Sequence, residues 1–205
     1  MPIETLFATR LYRAKLASRG VAALNAQMLR ELAVLREDDG GGRHWSAVNY
    51  PGGYTSYGSV CRLQTVSPTF ARLEHWLTPH IRAFARSLDL DLVGRPLTMT
   101  DCWINAMPQG VTHSLHLHPT ATISGTYYVQ VPKGAPGLKL EDPRLDRMMA
   151  APPRRANARP ANRTWITSPA VAGYVTLFES WLRHEVPANP VAAERVSVSF
   201  NYSWF

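Results

Sequence analysis

The sequence predicts a mainly β fold with flanking helices: a sandwich or jelly roll with two N-terminal helices packed on one sheet. Three observations predict it. Hydrophobic periodicity is helical before Pro96 and changes to a period of two after it. Past that point, short alternating runs are separated by turn signals, the pattern of many short strands. In the last run, Val196, Val198, Phe200, Tyr202 and Trp204 alternate with Arg195, Ser197, Ser199, Asn201 and Ser203. One face of that strand is wholly apolar and must be covered, most simply by the two helices. The other is polar and is read as facing a polar cavity.

The elements follow in order. Residues 6–15 read as an opening strand. Residues 21–37 read as a helix with Leu24, Met28, Leu32 and Leu35 on one stripe. Ser18 is its expected cap, and Gly40, Gly41 and Gly42 are expected to end it. Residues 45–58, with Pro51-Gly52-Gly53 and several tyrosines, read as a loop. Residues 67–87 form the second helix, with Phe70, Leu73, Leu77, Ile81, Phe84 and Leu88 inward and Ser67-Pro68 at its start. Strands are expected over 97–106, 112–118, 123–131, 138–141, 163–167, 174–178 and 195–204. No repeat or linker divides the chain. The expectation is one domain over 1–205, with a helical front and loop (1–95) and a β-rich core (96–205).

Composition narrows the function. With 205 residues, 45% hydrophobic and 18% charged, the chain can bury a sizeable core. The net charge of +7 comes from 22 Lys+Arg against 15 Asp+Glu. Much of the excess lies between Lys133 and Arg163, in a stretch rich in Pro and Ala without interleaved aromatics. That reads as a solvated basic loop rather than a nucleic-acid surface. Cys61 and Cys102 make no disulfide framework and read as reduced core residues. The N-terminus lacks a signal-peptide pattern, and no apolar run approaches the ~20 residues that span a bilayer. A cytoplasmic protein with no membrane partner is expected. A homodimer is left open.

The chemistry concentrates in His116-Leu117-His118-Pro119. On a regular strand His116 and His118 point the same way. Two adjacent imidazoles are half of a transition-metal site, and His184 is the best third ligand. An isolated His-x-His is about as often two surface histidines. Pro119 argues for a site, because it places both rings at a strand end. His113 falls on the opposite face of a regular strand and reads as structural. Arg195 follows His184 by eleven residues, and a short connection would set it deeper in the same cavity. A buried guanidinium needs an anion, and its planar fork suits a carboxylate. Ser197 shares that face. The bland alternative for Arg195 is an ion pair with Glu194 or Glu185.

These residues resemble the 2-oxoglutarate/Fe(II)-dependent oxygenases, which carry His-x-(Asp/Glu), a distal His, and Arg-x-Ser about ten residues on. More closely the chain resembles a largely uncharacterised set of such oxygenases from bacteria and phages. The matching stretches are Gly52–Tyr57, Trp103-Ile104-Asn105, His116–Pro119, Ile123–Val129, Glu141–Arg144, Leu177–His184 and Arg195–Asn201. The resemblance implies a double-stranded β-helix, Fe(II), 2-oxoglutarate as cosubstrate and dioxygen. It implies metal ligands His116, His118 and His184, with Arg195 and Ser197 on the cosubstrate. His118 departs from the pattern, standing where the broader superfamily has a carboxylate. Asn105, Asn201 and Tyr128 are further candidates for the cosubstrate pocket; only one of Tyr127 and Tyr128 can line it. Trp181 reads as core. Loops 49–58 and 150–162 are candidate lids.

Two readings result. The first is an oxygenase hydroxylating a small molecule, a side chain or a modified nucleotide. The second is a cupin-like three-histidine metal protein, either a direct dioxygenase or a binding module, without 2-oxoglutarate. A buried Arg195 within the cavity favours the first. Ordinary histidine titration predicts loss of metal near pH ~5.

Overall fold

The computed structural model describes residues 3–16 and 19–204. Its ten strands make two antiparallel sheets. The strands are β1 (Tyr12–Lys15), β2 (Tyr54–Thr55), β3 (Thr98–Met107), β4 (His113–His116), β5 (Ile123–Gln130), β6 (Leu138–Glu141), β7 (Trp165–Ser168), β8 (Tyr174–Glu179), β9 (His184–Val186) and β10 (Arg195–Ser203). The major sheet runs β1-β8-β5-β10-β3-β2 and the minor sheet β4-β9-β6-β7. This is the double-stranded β-helix. The helices are α1 (Val21–Asp38), α2 (Gly40–Asn49), α3 (Leu63–Val66) and α4 (Pro68–Ser87).

The apolar face of β10 is covered as the alternation requires. Val196, Val198, Phe200 and Tyr202 share one buried cluster with Leu24, Met28 and Leu32 of α1 and Phe70, Leu73, Leu77, Ile81 and Phe84 of α4. Phe200 alone, fully buried, contributes roughly 1.5–3 kcal/mol of transfer free energy. Trp204 departs from expectation. It lies past the end of β10, is 39% exposed, and donates its indole N–H to the Leu92 carbonyl.

The helical front differs in one instructive place. Gly40-Gly41-Gly42 does end α1, but the glycines open α2 rather than a loop. Asp39 turns the chain, and its carboxylate accepts from the Gly42 N–H at 2.8 Å, a side-chain cap. Ser67 caps α4 in the same way through the Thr69 N–H. Ser18 lies outside the described residues; Gly20 precedes α1 without a side-chain cap. The front also gives the major sheet both its edge strands, β1 and β2. Cys61 and Cys102 are both free thiols.

Candidate active site

The site lies between the two sheets. β4 pairs with β9 so that His116 stands opposite His184. β9 was not expected from sequence: it is three residues long and begins at the histidine. His118 lies beyond the end of β4, and its backbone N–H donates to the Ser180 carbonyl at 2.9 Å, tying it to the turn before β9. One nitrogen from each of His116, His118 and His184 lies within 4.8 Å of the others. Imidazole–metal bonds are about 2.1 Å, so small shifts suffice to bring all three onto one ion.

The nitrogens are prepared for a metal. His116 Nδ1 lies 2.6 Å from the Ser114 carbonyl, and His184 Nδ1 lies 2.8 Å from that of Leu182. Each carbonyl fixes a proton on Nδ1, which leaves Nε2 as the unprotonated donor. Burial pushes His184 down to about 2 and His118 to about 4, and lowers His116 as well. All three rings are therefore neutral at physiological pH. Rings buried in this way are expected to stay unprotonated, and so available to a metal, below the value near pH ~5 expected from ordinary histidines.

His113 is a correction. Its ring stacks on His116 at 4.6 Å and 19°, on the cavity side and not the opposite face. The pairing register shifts between His113 and His116, and one displaced residue reverses the alternation. Burial and the neighbouring imidazoles push it down to about 3.

Arg195 opens β10 and is 3% exposed. β9 and β10 belong to different sheets, so the connection after His184 crosses between the sheets and is not a hairpin. Both acids offered as partners are engaged elsewhere: Glu194 with Arg36, and Glu185 with Lys139 at 2.7 Å. Among the described residues Arg195 has no carboxylate. Its guanidinium donates to Ser197 Oγ at 3.3 Å and lies 5.2 Å above the Tyr128 ring, and its Nε has no partner. A buried cation with an unused donor is costly unless an anion joins it. Arg195, Ser197 and Asn105 line the same cleft as the three histidines. Asn105 donates to Ser199 Oγ at 3.0 Å and keeps a buried, unpartnered carbonyl oxygen. The arrangement fits a metal with a chelating acid whose far carboxylate reaches the arginine.

Other expected residues land elsewhere. Tyr128 is fully buried beneath Arg195, while Tyr127 turns away and donates to Asn25 of α1. Asn201 is not among the residues lining the cleft. It accepts from Ser124 Oγ at 2.8 Å and donates to Asp101 at 3.2 Å. Ser124 also meets Ser180 Oγ at 2.8 Å, so this chain supports the turn that holds His118. Trp181 is 45% exposed and not core. Of the two loops, 49–58 borders the histidines through Tyr50 and Tyr57, whereas Pro160 and Ala161 line a separate pocket with residues 5–9. Sequence reasoning missed Tyr50, Thr126 and Phe178 as lining residues. Trp103 stood beside the noted Asn105.

Residues 101–201 match the family described as "Putative 2OG-Fe(II) oxygenase". The chain belongs to this 2-oxoglutarate/Fe(II) oxygenase family through its β-rich half. A search of curated proteins finds no match. Among solved structures it is similar to a Pseudomonas putida prolyl-4-hydroxylase, with TM-score 0.64 and 14% identity over 96% of this chain and 94% of that one. It is also similar to the α-ketoglutarate-dependent epimerase SnoN of nogalamycin biosynthesis, with TM-score 0.65 and 19% identity over 95% and 76%. A third similar structure is HygX from Streptomyces hygroscopicus, solved with nickel and 2-oxoglutarate, with TM-score 0.60 and 15% identity over 95% and 83%. At these identities the likeness shows the fold.

Proposed function

We propose that His116, His118 and His184 hold Fe(II), and that Arg195 with Ser197 holds the distal carboxylate of 2-oxoglutarate in an enzyme that hydroxylates a C–H bond. The observation that carries this reading is Arg195: buried, without an acid, in the same cleft as three neutral imidazoles. Iron, when bound, supplies dioxygen activation coupled to decarboxylation of the keto acid. The protein supplies the rest. Backbone carbonyls fix the tautomers of His116 and His184. Arg195 and Ser197 set the orientation of the cosubstrate. Tyr128 covers one face of the guanidinium and Phe178 packs on His184, which keeps water from both groups.

No described helix is long and apolar enough to cross a membrane. The two free thiols support a reducing compartment, and we assign the enzyme to the cytoplasm.

The test is anaerobic titration of the Fe(II)-loaded protein with 2-oxoglutarate, following the weak metal-to-ligand charge-transfer band of a chelated keto acid. The band is expected in the wild type and is expected to need far more 2-oxoglutarate in Arg195→Ala. Its absence at saturating keto acid, with iron confirmed bound, rejects the reading in favour of a cupin-like protein without this cosubstrate.

A further inference from the structure

The cleft opens past His116 and His118 onto a second hollow walled by aromatic rings. Trp45 of α2 meets Tyr57 at 5.6 Å, Tyr57 meets Trp103 of β3 at 5.0 Å, and Trp103 meets His118 at 5.9 Å. Each ring touches the next, so they form a row leading from the surface to the histidines and not a closed cage. Tyr57 is 44% exposed, so the outer part of the row is open to solvent.

Three features restrict what lies on this row. First, no Asp, Glu, Lys or Arg lines the hollow, so a charged group on its inner part, beside Trp103 and the histidines, would meet no opposite charge. Second, two of its polar side chains are engaged locally. The Asn49 amide donates to the Trp45 carbonyl, and Thr55 Oγ1 accepts from the Tyr57 N–H. A polyhydroxylated sugar would find few partners. Third, the indole N–H groups of Trp45 and Trp103 and the Tyr57 hydroxyl make no hydrogen bond to any described residue. They are spare donors set between apolar ring faces. Apolar faces with spare donors match an extended chain that offers carbonyl oxygens and apolar rings but few N–H groups, which is a proline-containing segment in polyproline II.

We propose that the primary substrate is an uncharged, proline-containing peptide segment lying along Trp45, Tyr57 and Trp103 with one prolyl ring at the histidines. This rests on the oxygenase reading above. At about 3.1 Å per residue, some four or five residues cover the row. One prolyl C–H becomes C–OH as 2-oxoglutarate becomes succinate and carbon dioxide, each organic product taking one atom of dioxygen.

The experiment is calorimetric titration of the full-length Fe(II)/2-oxoglutarate protein under anaerobic conditions. The probes are a blocked proline-rich nonapeptide and its all-alanine counterpart. At least tenfold tighter binding of the proline peptide is expected, with a gain of one oxygen atom (+16 Da) on proline once air is admitted. Tyr57→Phe removes one donor. Gly58→Ala places a methyl group 2.1 Å from Trp45 Cγ and must displace that indole. Both are expected to weaken the peptide several-fold, with melting curves checking the fold. Equal binding of the two peptides overturns the proposal. So does tighter binding of a cello-oligosaccharide or a trimethyllysine peptide, or wild-type affinity in both variants. The charge-transfer band, followed in the same samples, separates the two readings. Peptide binding without the band removes the cosubstrate assignment only, and the band without peptide preference removes this one only.

Discussion

The two faces of β10 are both buried, yet they do opposite things. Val196, Val198 and Phe200 are fully buried in the apolar cluster they share with α1 and α4. Arg195, Ser197 and Asn201 are each 6% exposed or less, yet they face polar neighbours. Of the buried atoms without a partner among the described residues, Arg195 Nε, Asn105 Oδ1 and Tyr128 OH lie around the inner face, against the Tyr202 hydroxyl alone on the outer face of β10. Buried polar groups without partners cost stability, so the inner face keeps what a folding-only strand would discard. The outer face holds the sheet, and on the proposed reading the inner face is kept for a ligand.

The sharpest break of this comparison is His184→Ala. It removes the proposed ligand on β9, the strand that pairs with both β4 and β6, and metal content measured by mass spectrometry is expected to fall from stoichiometric to background. The melting temperature should change far less than occupancy. Stoichiometric iron in the variant would exclude His184 as a principal ligand.

Next come paired substitutions on β10. Phe200→Ala is expected to cost about 3–5 kcal/mol of stability, read by denaturant unfolding, and to leave 2-oxoglutarate affinity close to wild type in the folded fraction. Arg195→Met keeps the volume and is expected to hold stability within ~1 kcal/mol. It should weaken 2-oxoglutarate binding by roughly a hundredfold, the scale of losing a buried, hydrogen-bonded charge pair. If Arg195→Met unfolds the protein instead, the arginine is structural and the contrast between the faces fails.

A smaller effect is set by pH. His113, His118 and His184 have folded values near 3, 4 and 2 against an ordinary value near 6.5. Between those limits the unfolded chain binds more protons than the folded one, so stability rises with pH across the window. The metal-free protein is expected to lose melting temperature progressively as pH falls from about 6.5 to 4, and to show little change from 7 to 8. A flat profile across the acid range would mean that the imidazoles are well solvated.

The sequence revealed the polar face of β10 and the three histidines because alternation and ligand chemistry are local signals. What it hid depends on long-range pairing. His113 looked misplaced because a register shift cannot be read from a five-residue stretch. The β9 strand is too short to show a period. For α2, Gly40-Gly41-Gly42 argues against a helix by propensity. The Asp39 cap and the Ser46 hydroxyl, buried against the backbone of Thr55, outweigh it. The row from Trp45 to Trp103 joins a helix, a loop and a strand, so no spacing rule announces it.

The finest test of the inner face is Ser197→Ala. Ser197 is 3% exposed, and its hydroxyl accepts from Arg195 at a long 3.3 Å. Such a bond orients the guanidinium only loosely. If the hydroxyl's main role is to donate to the cosubstrate carboxylate, its loss removes one hydrogen bond of about 1 kcal/mol. Affinity for 2-oxoglutarate should then fall roughly fivefold, with unfolding unchanged. A loss as large as that of Arg195→Met would mean that Ser197 sets the arginine's position, so that the two act as one unit. No loss would mean that the guanidinium alone holds the carboxylate, seated on Tyr128, and that only one residue on this face of β10 binds the cosubstrate.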